Sequence, residues 1–229
     1  MTAPIDIERA RFNMIEQQIR PWDVLNLEIL ELLAHLKRES FVPVAQRALA
    51  FVDMEIPLLG DAEEALKNGH CMLSPKVEAR LLQDLAPKPH EKVLEIGAGS
   101  GYMAALLASR AQRVVSMEIH PELARMARAN LQQAGIANAE VREGDGAKGL
   151  PAEGPFDVIL LSGSVHEVPA ALLAQLKVGG RLGAIVGDEP VMRATFVRRT
   201  GEAAYATEQP WDTVAPRLAG FRQPSRFQF

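Results

Sequence analysis

The stretch VLEIGAGSGY, residues 93–102, decides the fold of this chain. Its first four residues are apolar apart from Glu95 and predict a buried strand, and a helix follows from Tyr102. Between the two elements, Gly97 and Gly99 allow a tight turn without Cβ collisions. Because the free N–H groups at a helix N-terminus attract polar or anionic ligands, the stretch predicts a ligand-binding turn between a strand and a helix.

Strands and helices alternate along the chain from this turn onward. Alternation of this kind is typical of a parallel sheet with helices on both faces. We therefore predict an α/β fold with a Rossmann-like, doubly wound, mainly parallel sheet, preceded by an N-terminal helical extension and followed by a C-terminal antiparallel edge. The predicted strands are 93–96, 114–119, 140–143, 156–161 and 181–186, and the predicted helices are 102–111, 121–134 and 168–176.

The chain divides into three segments of different character. Residues 1–88 carry helical patterns, such as the spacing of Ile15 and Ile19, and form the predicted N-terminal helical and substrate segment. Residues 89–194 form the predicted ligand-binding core, and residues 195–229 form edge strands and a tail. The total length favours one compact domain.

Composition and charge exclude several classes of protein. The 229 residues carry a formal net charge of −4, which does not fit the basic footprint of a nucleic-acid-binding protein. No apolar run reaches about 18 residues, so no membrane span is expected. The lone Cys71 excludes an internal disulfide, and with only five scattered histidines no metal site is expected. These features predict a cytoplasmic protein, and they leave its oligomeric state open.

The spacing of the glycines separates two kinds of nucleotide site. A dinucleotide fingerprint reads Gly-x-Gly-x-x-Gly, but here the third glycine, Gly101, comes one residue early and Tyr102 takes the last glycine's place. The pattern Glu-x-Gly-x-Gly-x-Gly resembles motif I of class I S-adenosylmethionine-dependent methyltransferases. In that family the turn faces the methionine end of the cofactor, and the acid in the strand, here Glu95, helps to hold the turn or the amino group.

Three further signals follow at the ends of successive strands. Glu118 lies 17 residues after Gly101, where a carboxylate accepts both ribose hydroxyls. In the family that motif I resembles, an acid at the place of Asp145 contacts the adenine, and the strand that ends near Ser162 lies beside the reacting methyl group. Together the signals predict S-adenosylmethionine as the cofactor. The predicted cofactor-binding residues are Glu95, Gly97, Ala98, Gly99, Ser100, Gly101, Tyr102, Glu118, Ile119, Asp145, Gly146 and Ser162.

Four segments that precede residue 93 point to one family within these methyltransferases. They read RESFVP at 38–43, IPL at 56–58, GHCMLSP at 69–75 and EARL at 78–81. In order and position they resemble the N-terminal substrate segment of protein-L-isoaspartate O-methyltransferases. The resemblance implies an enzyme that methylates the α-carboxylate of isoaspartyl residues and so starts their repair to aspartate. Its implied partners are isoaspartyl proteins or peptides.

The substrate triplet departs from that family's pattern. The family usually reads Thr-Ile-Ser-x-Pro before this helix, with the serine at the reaction centre, and alignment on Pro75 places Cys71, Met72 and Leu73 on the triplet. Met72, Leu73 and Ser74 are therefore the predicted substrate residues. Ser74 lies one residue after the position that aligns with the family's serine. It is either a catalytic residue brought in by a one-residue shift or the N-cap of the helix that begins at Pro75.

The sequence does not identify the methyl acceptor through catalytic acid or base residues. A carboxylate acceptor is already ionised near pH 7, so its methylation needs no strong base. Leu73 keeps open a related methyltransferase with a small-molecule or another protein acceptor, and a non-catalytic S-adenosylmethionine-binding module is a further hypothesis. An NAD-dependent oxidoreductase is disfavoured by Tyr102 and by the lack of a recognisable hydride-transfer constellation.

Overall fold

A seven-stranded sheet lies at the centre of the molecule. The computed structural model describes residues 6–222. Its strands are β1 (Ile56–Pro57), β2 (Cys71–Met72), β3 (Lys92–Ile96), β4 (Arg113–Glu118), β5 (Ala139–Glu143), β6 (Phe156–Val165), β7 (Leu176–Asp188), β8 (Val191–Arg199) and β9 (Tyr205–Thr213). The large sheet has the order β5-β4-β3-β6-β7-β8-β9, and β1 pairs with β2 apart from it.

The direction of the strands confirms the predicted fold class. Strands β3 to β7 pair in parallel with their neighbours, and β8 and β9 add two antiparallel strands at one edge. The fold is therefore α/β with a mainly parallel sheet and an antiparallel C-terminal edge, as the alternation of strands and helices predicts.

Helices precede the sheet and cover it. The described residues form α1 (Ile7–Met14), α2 (Leu27–His35), α3 (Ala62–Asn68), α4 (Pro75–Leu85), α5 (Tyr102–Ala108), α6 (Pro121–Gln133) and α7 (Ala170–Leu173). The first four belong to the predicted N-terminal extension. Short 3₁₀ turns at Arg20–Trp22, Arg38–Ser40 and Val44–Phe51 and a π-helical turn at Ile15–Ile19 connect them.

Successive strand residues point into two apolar layers, as a period of two requires. Val93 and Leu160 belong to a large buried cluster that also contains residues of α4, α5 and α6. Their chain neighbours Leu94 and Leu161 belong to a second cluster, which contains Leu172 of α7. Helices therefore cover both faces of the sheet.

The N-terminal extension shares its apolar core with the sheet. The large cluster begins at Met14 in α1 and reaches Ala215, beyond the last strand. The proposed segment boundaries at residues 88 and 194 stay a prediction. Residues 1–5 and 223–229, which belong to the two outer segments, lie outside the described part of the chain.

Two predicted helices are shorter than expected. The helix predicted at 168–176 is reduced to α7, because Leu176 already pairs with Phe156 in parallel register and the chain continues as β7. The helix predicted at 102–111 ends at Ala108. The antiparallel edge, expected from residue 195, begins at Val191.

The helices of the described residues are too short to cross a bilayer. The longest, α6, has 13 residues, whereas a membrane-spanning helix needs about 20 apolar residues. Among residues 6–222, no helix is long and apolar enough to span a membrane.

Candidate active site

The turn after β3 lies at the carboxyl ends of the parallel strands. Gly97, Gly99 and Gly101 have φ angles of +94°, +52° and +85°, a region that side chains with a Cβ rarely adopt. The amides of Gly97 and Ala98 donate to the carbonyl of Met117 at 2.8 and 3.2 Å. These bonds hold the turn against the end of β4. In open α/β sheets, ligands bind at this edge.

Glu95 lies beneath the turn and is fully buried. Its Oε2 accepts a hydrogen bond from the hydroxyl of Ser116 at 2.5 Å, and its Oε1 accepts one from the hydroxyl of Ser162 at 2.7 Å. Burial raises the pKa of Glu95 to about 7, although the two hydroxyl bonds oppose the shift. The side chain therefore joins the ends of β3, β4 and β6.

Glu118 ends β4 and supports two loops. Its Oε2 accepts from the amide of Gly99 at 2.8 Å, and its Oε1 accepts from the amide of His120 at 2.9 Å. The residue is buried, with 5% of its surface exposed. Each carboxylate oxygen has a second lone pair, so Glu118 can still accept from hydroxyl groups of a ligand.

A cavity of about 550 Å³ lies over this edge of the sheet. Half of the predicted cofactor-binding residues line this larger cavity: Gly97, Gly99, Glu118, Ile119, Gly146 and Ser162. A smaller neighbouring cavity of about 250 Å³ is lined by Ala98 and Ser100 and shares Cys71, Gly97, Gly99 and Ser162 with the larger one.

Tyr102, another predicted cofactor residue, lies outside both cavity walls. Its side chain is 1% exposed, and its ring makes an edge contact with Phe41 at a centroid distance of 5.2 Å. The guanidinium of Arg38 lies 5.2 Å from the centre of the same ring. These contacts fix the first turn of α5 against the N-terminal extension.

Gly101 and Asp145 also lie beside the cavities without lining them. A Cβ at Gly101 would lie 3.0 Å from the carbonyl oxygen of Ala127, so the glycine allows α5 to approach α6 closely. Asp145 accepts a hydrogen bond from the amide of Ala147 at 2.9 Å. Its neighbour Gly146 reaches the cavity wall, where a Cβ would lie 2.7 Å from a methyl group of Ile96.

The segment after β9 contributes site residues that the sequence did not indicate. Ser164 donates its amide to the carbonyl of Pro216 at 2.8 Å, and the amide of Leu218 donates to the carbonyl of Ser164 at 2.9 Å. Arg217, Leu218 and Ala219 consequently line the larger cavity. No local pattern predicts this, because the contact joins parts of the chain about fifty residues apart.

Two histidines from distant parts of the chain meet in the wall of the larger cavity. His70 precedes β2, and His120 is the N-cap of α6. Their ring centroids lie 4.6 Å apart, and both residues line the cavity. The contact links the N-terminal extension to the loop between β4 and α6.

Comparison with known proteins places this site in a family. The family model described as protein-L-isoaspartate(D-aspartate) O-methyltransferase matches residues 9–214. The chain belongs to this family. The match includes the helical extension, the glycine turn and the antiparallel edge, so it extends far beyond a shared cofactor motif.

Curated relatives agree over most of their length. A protein-L-isoaspartate O-methyltransferase of Koribacter versatilis is 38% identical over 193 residues, which cover 84% of this chain and 82% of the relative. Another, from Syntrophobacter fumaroxidans, is 40% identical and covers 84% and 86%. Members of the protein-L-isoaspartate O-methyltransferase family thus match the chain almost end to end.

Solved structures show the same fold. A protein-L-isoaspartate O-methyltransferase superposes with a TM-score of 0.75 and 24% identity, covering 93% of this chain and 66% of that one. A Plasmodium falciparum structure assigned to the same family, in complex with S-adenosyl-L-homocysteine, gives a TM-score of 0.74 and 15% identity over 91% of this chain and 97% of that one.

Cys71, Met72 and Leu73, the triplet in which this chain departs from the methyltransferase family, all line the smaller cavity. Met72 and Leu73 line that cavity and are buried. The carbonyl of Leu73 accepts a hydrogen bond from Nη2 of Arg38 at 2.5 Å. Ser74 occupies the N-cap position of α4, as one of the two readings predicts, but its side chain makes no capping hydrogen bond and lines neither cavity. A catalytic role for Ser74 stays a prediction.

Replacement of Ser74 separates its two possible roles. We expect Ser74→Ala to change the free energy of unfolding by less than about 0.5 kcal/mol, because no capping bond is lost. Asn26→Ala is the matched control: Asn26 caps α2 by accepting from the amides of Glu28 and Ile29, and its loss costs about 1 kcal/mol. We also expect kcat/KM of Ser74→Ala to stay within about threefold of the parent value. A fall of tenfold or more in kcat would instead assign Ser74 to the reaction.

Proposed function

We propose that this protein transfers a methyl group from S-adenosylmethionine to the α-carboxylate of isoaspartyl residues in proteins and peptides. The observation that carries the proposal is the family match over residues 9–214, which spans both the glycine turn and the substrate segment. We also propose that it acts in the cytoplasm, since the lone Cys71 leaves the chain no internal disulfide.

The residues of the larger cavity suit S-adenosylmethionine. A Cβ at Gly97 would lie 2.6 Å from Leu218 and 3.6 Å from the carbonyl of Ser162, so a glycine is needed for the turn to pack against the segments that complete the cavity wall. Glu118 can accept from ribose hydroxyls, and Gly146 and Ile96 give the cavity wall an apolar surface that suits the adenine. We propose that the predicted cofactor residues hold the cofactor along this edge, with its methionine end at Gly97 and its adenosine at Glu118.

In this reaction the residues of the protein mainly position the carboxylate and the methyl group relative to each other. When bound, the cofactor supplies an electrophilic methyl group on a positively charged sulfur. Met72, Leu73 and Met103 form the apolar part of the wall of the smaller cavity and help to exclude water from the turn. An ionised carboxylate needs no base, so holding it in line with the methyl group accounts for the catalysis.

A different acceptor is the second candidate, and Leu73 favours it. The serine that the resemblance places at the reaction centre is replaced here by a buried leucine. Loss of a hydrogen bond from a hydroxyl to a charged acceptor costs about 1.5–3 kcal/mol of stabilisation. In the transition state, this loss slows the reaction by about one to two orders of magnitude. The acceptor class is therefore the part of the function that most needs a direct test.

The test uses methyl-labelled S-adenosylmethionine with an isoaspartyl peptide and the matching aspartyl peptide. We expect base-labile methyl ester on the isoaspartyl peptide alone, because the family acts at that carboxylate. If neither peptide is labelled while cofactor binding is measured in the same sample, the isoaspartyl proposal is overturned. Equal labelling of both peptides would point to a less selective carboxyl methyltransferase.

A further inference from the structure

Glu78 of α4 is a buried carboxylate at the wall of the smaller cavity. It is 3% exposed, and its Oε2 accepts from Nη1 of Arg38. Among residues 6–222 no hydrogen-bond donor contacts its Oε1. This oxygen does not belong to the fully buried polar atoms that lack a partner, so a ligand can reach it. Because Glu78 lines the cavity together with Gly97 and Ser162, we place Oε1 facing the methionine end of the proposed cofactor site.

Glu78 and Glu95 form one buried acidic group. Glu95 accepts a hydrogen bond from Ser162, which lines the smaller cavity together with Glu78, and the negative charge of Glu78 contributes to raising the pKa of Glu95. Arg38 is the guanidinium bonded to the group, and it is 1% exposed. Two carboxylates and one guanidinium leave a net charge of −1 when all are ionised. A buried net charge is costly unless a partner of opposite sign arrives.

The two forms of the cofactor differ by one positive charge. S-adenosylmethionine carries a sulfonium, whereas S-adenosylhomocysteine carries a neutral thioether, and their ammonium and carboxylate groups are the same. We propose that Glu78, acting with Glu95, distinguishes the cofactor from its product by charge, favouring the sulfonium form and weakening retention of the product. This inference rests on the proposed methyltransferase function and assigns Glu78 to the cofactor site.

The protonation of the pair gives the proposal a pH dependence. Burial raises the pKa of both Glu78 and Glu95 to about 7, while Arg38 lowers that of Glu78. The ligand-free protein therefore holds protons on this pair near neutral pH. A bound cation favours the ionised carboxylates, so binding S-adenosylmethionine releases protons, and its affinity rises as the pH rises through about 7. S-adenosylhomocysteine has no sulfonium, so only its ammonium group contributes to this coupling.

The neighbouring charged groups do not reverse this sign. Glu118 on β4 raises the pKa of Glu95, and Tyr102 on α5, whose own pKa is raised by burial, stays neutral. Cys71 also lines the cavity, and burial raises its pKa to about 11, so the thiol stays neutral too. The remaining titratable side chains on the walls of the two cavities are His70, His120 and Arg217.

The test is calorimetric titration of both ligands into the full-length protein and into Glu78→Gln. Glutamine keeps an oxygen that accepts from Arg38 but removes the charge. We expect the affinity for S-adenosylmethionine to fall about tenfold and that for S-adenosylhomocysteine to change less than about twofold. The control is Glu63→Gln, an exposed residue of α3 that should change neither affinity. Thermal unfolding checks that each variant is folded.

A second measurement on the parent protein needs no variant. Titrations near pH 7 in buffers of different ionisation enthalpy should show greater proton release with S-adenosylmethionine than with S-adenosylhomocysteine. Equal changes of both affinities in Glu78→Gln, or equal proton release by both ligands, would overturn the inference. No methyl acceptor is present, so failure of the isoaspartyl assay leaves these results intact. If neither ligand binds the parent protein, both proposals fall.

Discussion

Replacing Gly97 by alanine is expected to lower the affinity for S-adenosylmethionine about a hundredfold, which corresponds to about 2.7 kcal/mol of binding free energy. Gly97 has a φ of +94°, and a Cβ there would lie 2.6 Å from a methyl group of Leu218. The turn must shift to relieve these contacts. Any shift also moves the amide of Ala98, which holds the turn to Met117. Calorimetric titration of the cofactor measures the effect.

Gly135 supplies the matched control for this variant. It also has a positive φ, +71°, but a Cβ there meets nothing within 4 Å, and it lies at the end of α6, away from the turn. Gly135→Ala should therefore cost a similar backbone strain of about 1–2 kcal/mol in stability while leaving cofactor affinity unchanged. Equal affinity losses in the two variants would mean that general destabilisation, and not the cavity wall, explains the result.

Local sequence patterns indicated the parts of the candidate site that lie within the β3–α5–β4 unit. The Gly97 turn, the acid in β3 and the acid that ends β4 each lie where the sequence pattern shows a strand ending and a turn beginning. Parallel pairing of β3 with β4 then brings Glu95 and Glu118 to one edge of the sheet. That step needs only the rule that ligands bind at the carboxyl ends of parallel strands.

Contacts between distant segments were outside the reach of sequence patterns. Leu218 covers Gly97 and Gly163 because the chain after β9 returns to the end of β6. Nothing in the local composition of residues 214–222 indicates this return, and the sequence suggested only an edge and a tail. The short α7 has the same cause, since pairing with β6 converts Leu176 to strand. Tertiary pairing overrides local helix propensity at this point.

The ion pair between Arg38 and Glu78 joins residues 40 positions apart. In the sequence, Arg38 and Glu78 are the first residues of two family-like segments, 38–43 and 78–81, and nothing in the local pattern separates them from solvent-exposed polar residues. Only the structure shows that both are buried. The pairing also explains why the carbonyl of Leu73 is fixed, since the same guanidinium donates to it.

Removal of Arg38 is expected to cause a large loss of stability. Arg38→Met should lower the free energy of unfolding by about 3–5 kcal/mol, because it leaves the carboxylate of Glu78 buried without a cation. The guanidinium also donates to the carbonyls of Ala50 and Leu73, and those bonds are lost. Urea unfolding at pH 7.5 measures the loss. Arg20→Met is the control, because its ion pair with Glu16 is exposed and costs less than about 1 kcal/mol.

Glu78 determines how the Arg38→Met variant responds to pH and to a second substitution. Without Arg38 the pKa of Glu78 rises further above its ordinary value, so the folded state binds more protons than the unfolded state. Stability should therefore fall as the pH rises from about 5 to 8, by at most about 1.4 kcal/mol per pH unit. The double variant Arg38→Met/Glu78→Leu removes the buried charge and should recover about 2 kcal/mol and lose the added pH dependence. A double variant no more stable than Arg38→Met would show that the lost carbonyl bonds, and not the unpaired carboxylate, dominate.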